Sequence, residues 1–242
     1  MKKVSFITVN YKNHLGLERT LESLEKVKNR NSEIIEIIVV DGGSSGQDMA
    51  VIEKFRGIID RLIYEPDDGV YDAMNKGIKI SSGSLLCFMN SGDVPIIDNM
   101  LKLIHESDIE YWSYGNGLWT RKFKAFTTKR ISRFWCKMPN HQAMLIPRSW
   151  HLDNLYDVRY PIAADLDVKL KLYYDLPHKY YDIDVVLSEP GGMSQSFGST
   201  TILRKRAAEI FMIARKRNNL FSAVLNYLKY LSWHYITKIM LK

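Results

Sequence analysis

The feature that most narrows the fold is a repeated alternation across the N-terminal part of the chain. Short apolar, β-branched runs at Val4–Val9, Ile34–Val40, Arg61–Tyr64 and Leu85–Met89 are separated by helix-like stretches at Leu15–Lys28, Asp48–Phe55 and Val70–Ile80. Strands that are apolar along nearly their whole length, rather than at every second residue, are covered on both faces. That order predicts a parallel sheet with crossover helices, an α/β fold. Three of the runs stop at polar or glycine-rich segments: Asn10-Tyr11-Lys12-Asn13, Asp41-Gly42-Gly43-Ser44-Ser45 and Asn90-Ser91-Gly92-Asp93. In an open α/β sheet the carboxyl ends of the strands form the edge where ligands bind, so chemistry is expected there.

After Pro95 the pattern mixes strands and helices. Aromatic Tyr111-Trp112-Ser113-Tyr114 is followed by a basic stretch at Arg121–Arg133 and by Pro139-Asn140-His141-Gln142. Ala163–Tyr174 has helical spacing and His178–Leu187 alternates like a strand, which predicts a subdomain built on the same sheet. Glu189-Pro190-Gly191-Gly192-Met193-Ser194 reads as a hinge or loop. The expected organisation is one domain over residues 1–200, with halves 1–94 and 95–200, and a basic helical tail over 201–242. A chain of 242 residues, 46% hydrophobic, is long enough for one such core. Cys87 and Cys136 form no CxxC pair, which argues against a disulfide framework or zinc knuckle and for a reducing cytoplasm. Val4–Val9 is too short for a signal peptide and reads as a first strand.

The net charge of +7 has a location. From Ile202 onward there are nine Lys or Arg against the single acidic Glu209, so the residues before it carry a net −1. The basicity belongs to the tail, and no nucleic-acid-binding module accompanies it. Leu220, Val224, Leu228, Leu231, Tyr235 and Ile239 recur at three- and four-residue spacing, which predicts an amphipathic helix. No uncharged apolar stretch is long enough to span a bilayer. Two uses stay open for this tail: attachment to an anionic membrane surface, or packing on its own domain with a solvated basic face.

Taken together, VSFITVNYKN, EIIVVDGGSSGQD, EPDDGVYDAMNKGI and SGSLLCFMNSGD closely resemble glycosyltransferase family 2, and HQ at 141–142 and AADLD at 163–167 extend the match. The resemblance implies the GT-A fold: a Rossmann-like, mixed but mainly parallel sheet flanked by helices, here with C-terminal amphipathic helices. It implies inverting transfer of a sugar from a UDP-, GDP- or dTDP-linked donor to a glycan or polyprenyl-linked acceptor in cell-surface polysaccharide biosynthesis. The implied location is cytoplasmic, with peripheral attachment at the inner face of the plasma membrane. By the same resemblance Asn10, Tyr11, Asp41, Asp68, Asn75, Asn90, Ser91 and Gly92 contact the nucleotide sugar. Asp93 anchors Mn²⁺ or Mg²⁺, His141 and Gln142 meet the acceptor or the diphosphate, and Asp165 is the catalytic base.

Each assignment has a plainer competitor. A carboxylate at the end of a buried strand, as at Asp41, needs hydrogen-bond donors, which a nucleobase imide, a ribose hydroxyl or a helix N-terminus can supply. Asp67 and Asp68 precede Gly69 and a helix, so turn or cap duty competes with nucleotide contact. Relatives often carry Arg where this chain has Met74, and Lys76 is a substitute for phosphate contact. Asn90 replaces the first carboxylate of the DxD-type run, leaving Asp93 to hold a cation whose other ligands are phosphates; a polar turn is the alternative. Asp165 competes with helix capping, and Asp167, two residues on, faces elsewhere. His141 is structural or ligand-binding. Tyr111–Tyr114 and Trp119 stack on sugars or fill the core. NYKNHLG is not the Gly-rich phosphate loop of a nucleotidyltransferase. The rival to the enzyme is a non-catalytic nucleotide-sugar or membrane-binding protein of the same fold.

Overall fold

The computed structural model describes residues 3–119, 125–126, 131–188 and 200–240, with side chains of the last helix described as far as Ser232. The first half runs β1 (Val4–Asn10), α1 (His14–Arg30), β2 (Ile35–Asp41), α2 (Gln47–Lys54), β3 (Arg61–Tyr64), α3 (Val70–Ile80) and β4 (Leu85–Phe88). β1 pairs in parallel with β2 and β4, and β2 pairs in parallel with β3. Successive residues of a strand point to opposite faces. Val4 and Phe6 of β1 therefore join Leu17, Leu21, Leu24 and Val27 of α1, while Ile7 and Val9 join Tyr71, Met74 and Ile78 of α3. Both faces are dry, which is why the strand reads as apolar throughout. Each buried aliphatic side chain contributes about 1.5–3 kcal/mol. Gly77 sets how closely α3 approaches, since a Cβ there would meet the Ile7 side chain at 2.5 Å.

The second half continues the same sheet. β5 (Val94–Pro95), α4 (Ile97–Glu106), β6 (Trp112–Trp119) and β7 (Ala125–Phe126) are followed by a single 3-10 turn (His141–Ala143), β8 (Met144–Pro147) and α5 (Arg148–Leu152). Then come α6 (Ala164–Asp175), β9 (His178–Ser188), α7 (Thr200–Arg217) and α8 (Leu220–Met240). The strand order is β3-β2-β1-β4-β8-β6-β9-β5, with β7 on β6. β8 is antiparallel to both β4 and β6, and β6 is parallel to β9. The sheet is mixed, but its parallel ladders carry most of the paired residues, as expected of the GT-A fold. Trp112 and Tyr114 are buried in this sheet with their rings stacked 5.3 Å apart, so they are core rather than sugar platforms. The side chain of Trp119 and the segment Glu189–Ser194 lie outside the described residues.

The tail is built into the body through α6. Leu166 and Leu170 of α6 pack against Ile210, Ile213 and Ala214 of α7 and Ala223 of α8. Buried Asp167 takes Arg217 at 2.6 and 2.9 Å and Lys216 at 3.1 Å. Glu209, also buried, accepts the backbone N–H groups of Ile162 and Ala163 at 3.0 and 2.8 Å, capping the start of α6. Burial raises the Glu209 pKa, and those two N–H donors oppose the rise. The tail therefore packs on its own domain, with Ser222, Ala223 and Asn226 of α8 buried and Leu220, Val224 and Leu228 left exposed. Among the described residues no helix is long and apolar enough to cross a membrane.

Candidate active site

Three strand ends converge. At the end of β1, Asn10 donates from Nδ2 to Asp41 at 2.7 Å and to Asp48 at 2.9 Å. The other Asp41 oxygen accepts the Ser44 N–H at 2.6 Å, so this fully buried carboxylate is engaged by its own loop. That loop is held in turn by the Lys12 N–H on Ser44 Oγ (2.8 Å) and by Tyr64 Oη on the Ser44 carbonyl (2.5 Å). Gly43 has φ +83°, a conformation that favours glycine. Tyr11 stands 60% exposed beside it. A Cβ on Gly42 would collide with the Asp67 carboxylate and come within 3.2 Å of the Tyr11 ring. At this edge exposed Tyr11 and half-buried Asp67 meet over the buried Gly42. Asp68, expected there, is exposed at the turn before α3, where its N–H reaches Asp72 at 3.2 Å.

The run after β4 is a turn tied to α1. Thr20 Oγ1 accepts the Gly92 N–H at 2.9 Å and donates to the Asp93 carbonyl at 2.8 Å. Gly92 has φ +107°, which explains a glycine at that place. Ser91 Oγ donates to the Val9 carbonyl at 3.1 Å, so Ser91 fastens the turn to β1. The turn leaves Asp93 5% exposed, with Gln142 Nε2 donating to it at 2.9 Å. Burial raises its pKa; the Gln142 amide, His141 and the Ser188 hydroxyl oppose that rise. Asn90 Nδ2 lies 3.3 Å from His141 Nε2, and the far side of that ring, Nδ1, is 3.6 Å from Asp165. These two contacts place the His141 ring between Asn90 and Asp165.

Asp165 sits in the first turn of α6. Its Oδ1 accepts from Tyr71 Oη at 3.0 Å and its Oδ2 from Lys169 Nζ at 2.6 Å, one helical turn on. Burial alone would raise its pKa, yet Lys169 and His141 hold the carboxyl well below the usual range. Gln142 thus meets Asp93 while its chain neighbour His141 meets Asn90 and Asp165, so the His141–Gln142 pair links the two carboxylates.

Residues 5–146 match the sequence profile described as glycosyl transferase family 2. The chain belongs to that family. An uncharacterized glycosyltransferase of Mycobacterium tuberculosis is 44% identical over 93 residues, covering 37% of this chain and 34% of the relative, so the match spans about a third of that protein. A PGL/p-HBAD biosynthesis glycosyltransferase of Mycobacterium bovis is 26% identical over 199 residues, covering 75% of this chain and 76% of the relative. The fold is that of TarS 1-349 of S. aureus (TM-score 0.68, 16% identity, 94% of this chain and 71% of that one). It is also that of the mannosyltransferase PcManGT of Pyrobaculum calidifontis, solved with GDP-Man and Mn²⁺ (TM-score 0.67, 13% identity, 95% and 74%).

Several family positions carry a different duty here. Asn75 is a clamp: its Nδ2 donates to the Tyr156 carbonyl and its Oδ1 accepts the Tyr156 N–H, both at 2.9 Å, so its amide is engaged away from the donor edge. Met74 is core, and Lys76 is engaged by Glu65 and Asp72. Tyr71, Thr20 and Lys169 escape the sequence reading, which pairs Asp67 with Asp68 before the helix without placing it at the donor edge. Of these, Lys169 had a usable signal, its four-residue spacing from Asp165.

The residues present fit a divalent cation as a partial shell. Among the described residues no cluster of three or more His, Cys, Asp or Glu side chains could hold a metal. Asp93 nevertheless offers a buried carboxylate, and in the same contact network the buried oxygens Asn90 Oδ1 and Gln142 Oε1 have no hydrogen-bond partner. Hard oxygen donors of this kind suit Mg²⁺ or Mn²⁺ when phosphates supply the remaining ligands.

Proposed function

We propose that the chain is an inverting, metal-dependent glycosyltransferase that moves a sugar from a nucleotide diphosphate donor to a glycan or polyprenyl-linked acceptor for a cell-surface polysaccharide. The observation that carries this reading is that the adjacent residues Gln142 and His141 reach Asp93 and Asp165 respectively, with Asn90 on the same imidazole, which links a cation-fitting carboxylate to a second carboxylate. Inversion by single displacement needs those two charges on opposite sides of the reacting carbon. Neighbours of the same fold were solved with UDP-GlcNAc and with GDP-Man and Mn²⁺, which supports a UDP-, GDP- or dTDP-linked donor and Mn²⁺ or Mg²⁺ as cofactor.

In this reading Tyr11, Gly42 and Asp67 receive the base and ribose, while Asn10 and Asp41 hold the loop that shapes their edge. Asn90, Ser91 and Gly92 form the turn that presents Asp93. A cation held at Asp93 would neutralise charge developing on the departing diphosphate. His141 and Gln142 keep the two carboxylates in register. Asp165 accepts the acceptor hydroxyl as a hydrogen bond and takes its proton as the new bond forms, with Lys169 and Tyr71 setting the direction of its lone pairs.

The test is turnover of a panel of UDP-, GDP- and dTDP-sugars with and without Mn²⁺, preceded by thermal shift to find the donor that binds. Donor binding with neither hydrolysis nor transfer across a broad acceptor panel would assign the chain to the inactive binding modules of the same fold. Transfer that persists in both Asp93→Ala and Asp165→Ala would overturn the residue roles.

A further inference from the structure

The last helix docks by a mixed side: Ala223 and Tyr230 join the apolar cluster of α6 and α7, and Tyr227 meets Phe211. Ser222, Ala223 and Asn226 are fully buried. Ser222 Oγ donates to the Phe134 carbonyl at 2.6 Å, and Asn226 Nδ2 donates to the same oxygen at 2.7 Å. Asn218 Nδ2 fixes the neighbouring Arg133 carbonyl at 2.8 Å. The side left to water is apolar: Leu220 is 58% exposed, Phe221 67%, Val224 40% and Leu228 54%. A surface helix that serves only its own domain turns the opposite face inward. The patch continues onto the turn that α8 holds. Phe134 lies 6.0 Å from the Phe221 ring, Trp135 is 44% exposed, and Lys229 Nζ is 5.9 Å from the Trp135 ring centre. Arg133, Lys137 and Lys229 are exposed around it. The single acidic residue from Ile202 onward, Glu209, is buried under α6 and offers the patch no negative charge.

We propose that this face of α8, together with Trp135, docks the protein on an anionic lipid bilayer. Charge selects the occupant. A second copy of this chain would bring two basic tails together without a carboxylate to pair them, and nucleic acid would leave the four apolar side chains in water. A bilayer meets both demands: acyl chains take Phe221, Val224 and Leu228, while headgroup phosphates take Lys229, Arg133 and Lys137. Trp135 lies between the two, at the depth where indole rings settle. This deepens the reading of a polyprenyl-linked acceptor, on which the catalytic assignment rests separately, because bilayer binding is measured without sugar transfer and either can fail alone.

The experiment is co-sedimentation of the full chain with phosphatidylcholine vesicles, with and without phosphatidylglycerol. Salt-sensitive binding to the phosphatidylglycerol vesicles is expected. The double variant Phe221→Glu/Leu228→Glu, altered only at exposed positions, is expected to lose roughly a hundredfold in affinity at an unchanged melting temperature. Lys229→Gln, which removes charge alone, is expected to lose roughly fivefold on anionic vesicles. Wild-type protein that stays in the supernatant with anionic vesicles overturns the proposal, as does a double variant that binds like the wild type. A dimer in sedimentation velocity that the double variant separates would assign the face to a second copy, and overturns it equally.

Discussion

Asn75→Ala separates a clamp from a ligand. The Asn75 amide is 7% exposed and makes both of its bonds, at 2.9 Å each, to the backbone of Tyr156. Removing it strands a buried N–H and a buried carbonyl, each worth about 1–3 kcal/mol when unsatisfied. The vacated space is small and polar, so a water admitted there would recover part of that loss and place the net effect near 3 kcal/mol. For a chain of this length that corresponds to a fall in Tm of about 6–12 °C. Tyr156 stacks 5.2 Å from Tyr71, whose hydroxyl reaches Asp165, so turnover should fall with stability while affinity for nucleoside diphosphate holds. Urea unfolding monitored by tryptophan fluorescence gives the first quantity and titration calorimetry with UDP or GDP the second. A variant that melts like the wild type and no longer binds nucleotide would refute the clamp and restore Asn75 to the donor site.

Asp165→Asn should lower kcat about 10²–10⁴-fold with nucleotide binding retained. Lys169→Met removes the cation that holds Asp165 acidic, so the acid limb of the pH–rate profile should move to higher pH; an unmoved limb would show that another group titrates there. Because the folded Asp165 pKa is lowered, its stabilising contribution is present above the ordinary carboxylate range and is lost as pH falls through the folded value. Asp93 has the opposite sign. Its pKa is raised by burial, so its contribution is full below the ordinary Asp pKa and disappears as pH rises through the folded value. Asp93→Asn should therefore melt higher than the wild type at neutral pH without metal, lose that advantage on acidification, and lose transfer. Glu209→Ala strands the N–H groups of Ile162 and Ala163 and should cost about 2–4 kcal/mol in urea unfolding; a loss under 1 kcal/mol would mean water replaces the cap.

The strands and crossover helices of the first half are legible because their signals are local. Apolar run length marks β1, β2 and β4, while asparagine and glycine punctuation marks where they stop. The expected bounds differ from the observed ones by one or two residues, as at Leu15–Lys28 against His14–Arg30. What the sequence withholds is set by contacts between distant residues. Thr20 reaches Asp93 across 73 positions and Glu209 reaches Ile162 across 47, and no periodicity announces either. Asp67 and Asp68 are equivalent in spacing; only the loop geometry at Gly42 turns the first toward Tyr11 and leaves the second before α3. In α8 the stripe is readable but its direction is not. The docked face joins Ala223 and Tyr230, in the apolar cluster, to Ser222 and Asn226, which satisfy the Phe134 carbonyl, and this pairing with a distant turn has no signal in the stripe.

Asp165 carries the same point into the chemistry. Motif order nominates the carboxylate, and helical spacing nominates Lys169 as its neighbour, but neither reveals that Tyr71, 94 positions away, occupies the other oxygen. With Lys169 on Oδ2 and Tyr71 on Oδ1, an incoming hydroxyl must share or displace one of them. Tyr71 is fixed by the packing of its ring on Tyr156, and its single hydroxyl proton is shared between Asp165 and the Ile162 carbonyl, 3.1 Å away. Lys169 is also bonded to the Pro139 carbonyl, at 3.2 Å, so it has somewhere to remain when it releases Asp165. The ammonium is therefore the group expected to yield. If so, Lys169→Met should accept the acceptor substrate with an unchanged or lower KM, whereas Tyr71→Phe should affect kcat with little change in KM. Should Lys169→Met instead raise KM steeply, the lysine itself holds the acceptor, and Asp165 would act through it rather than on the hydroxyl.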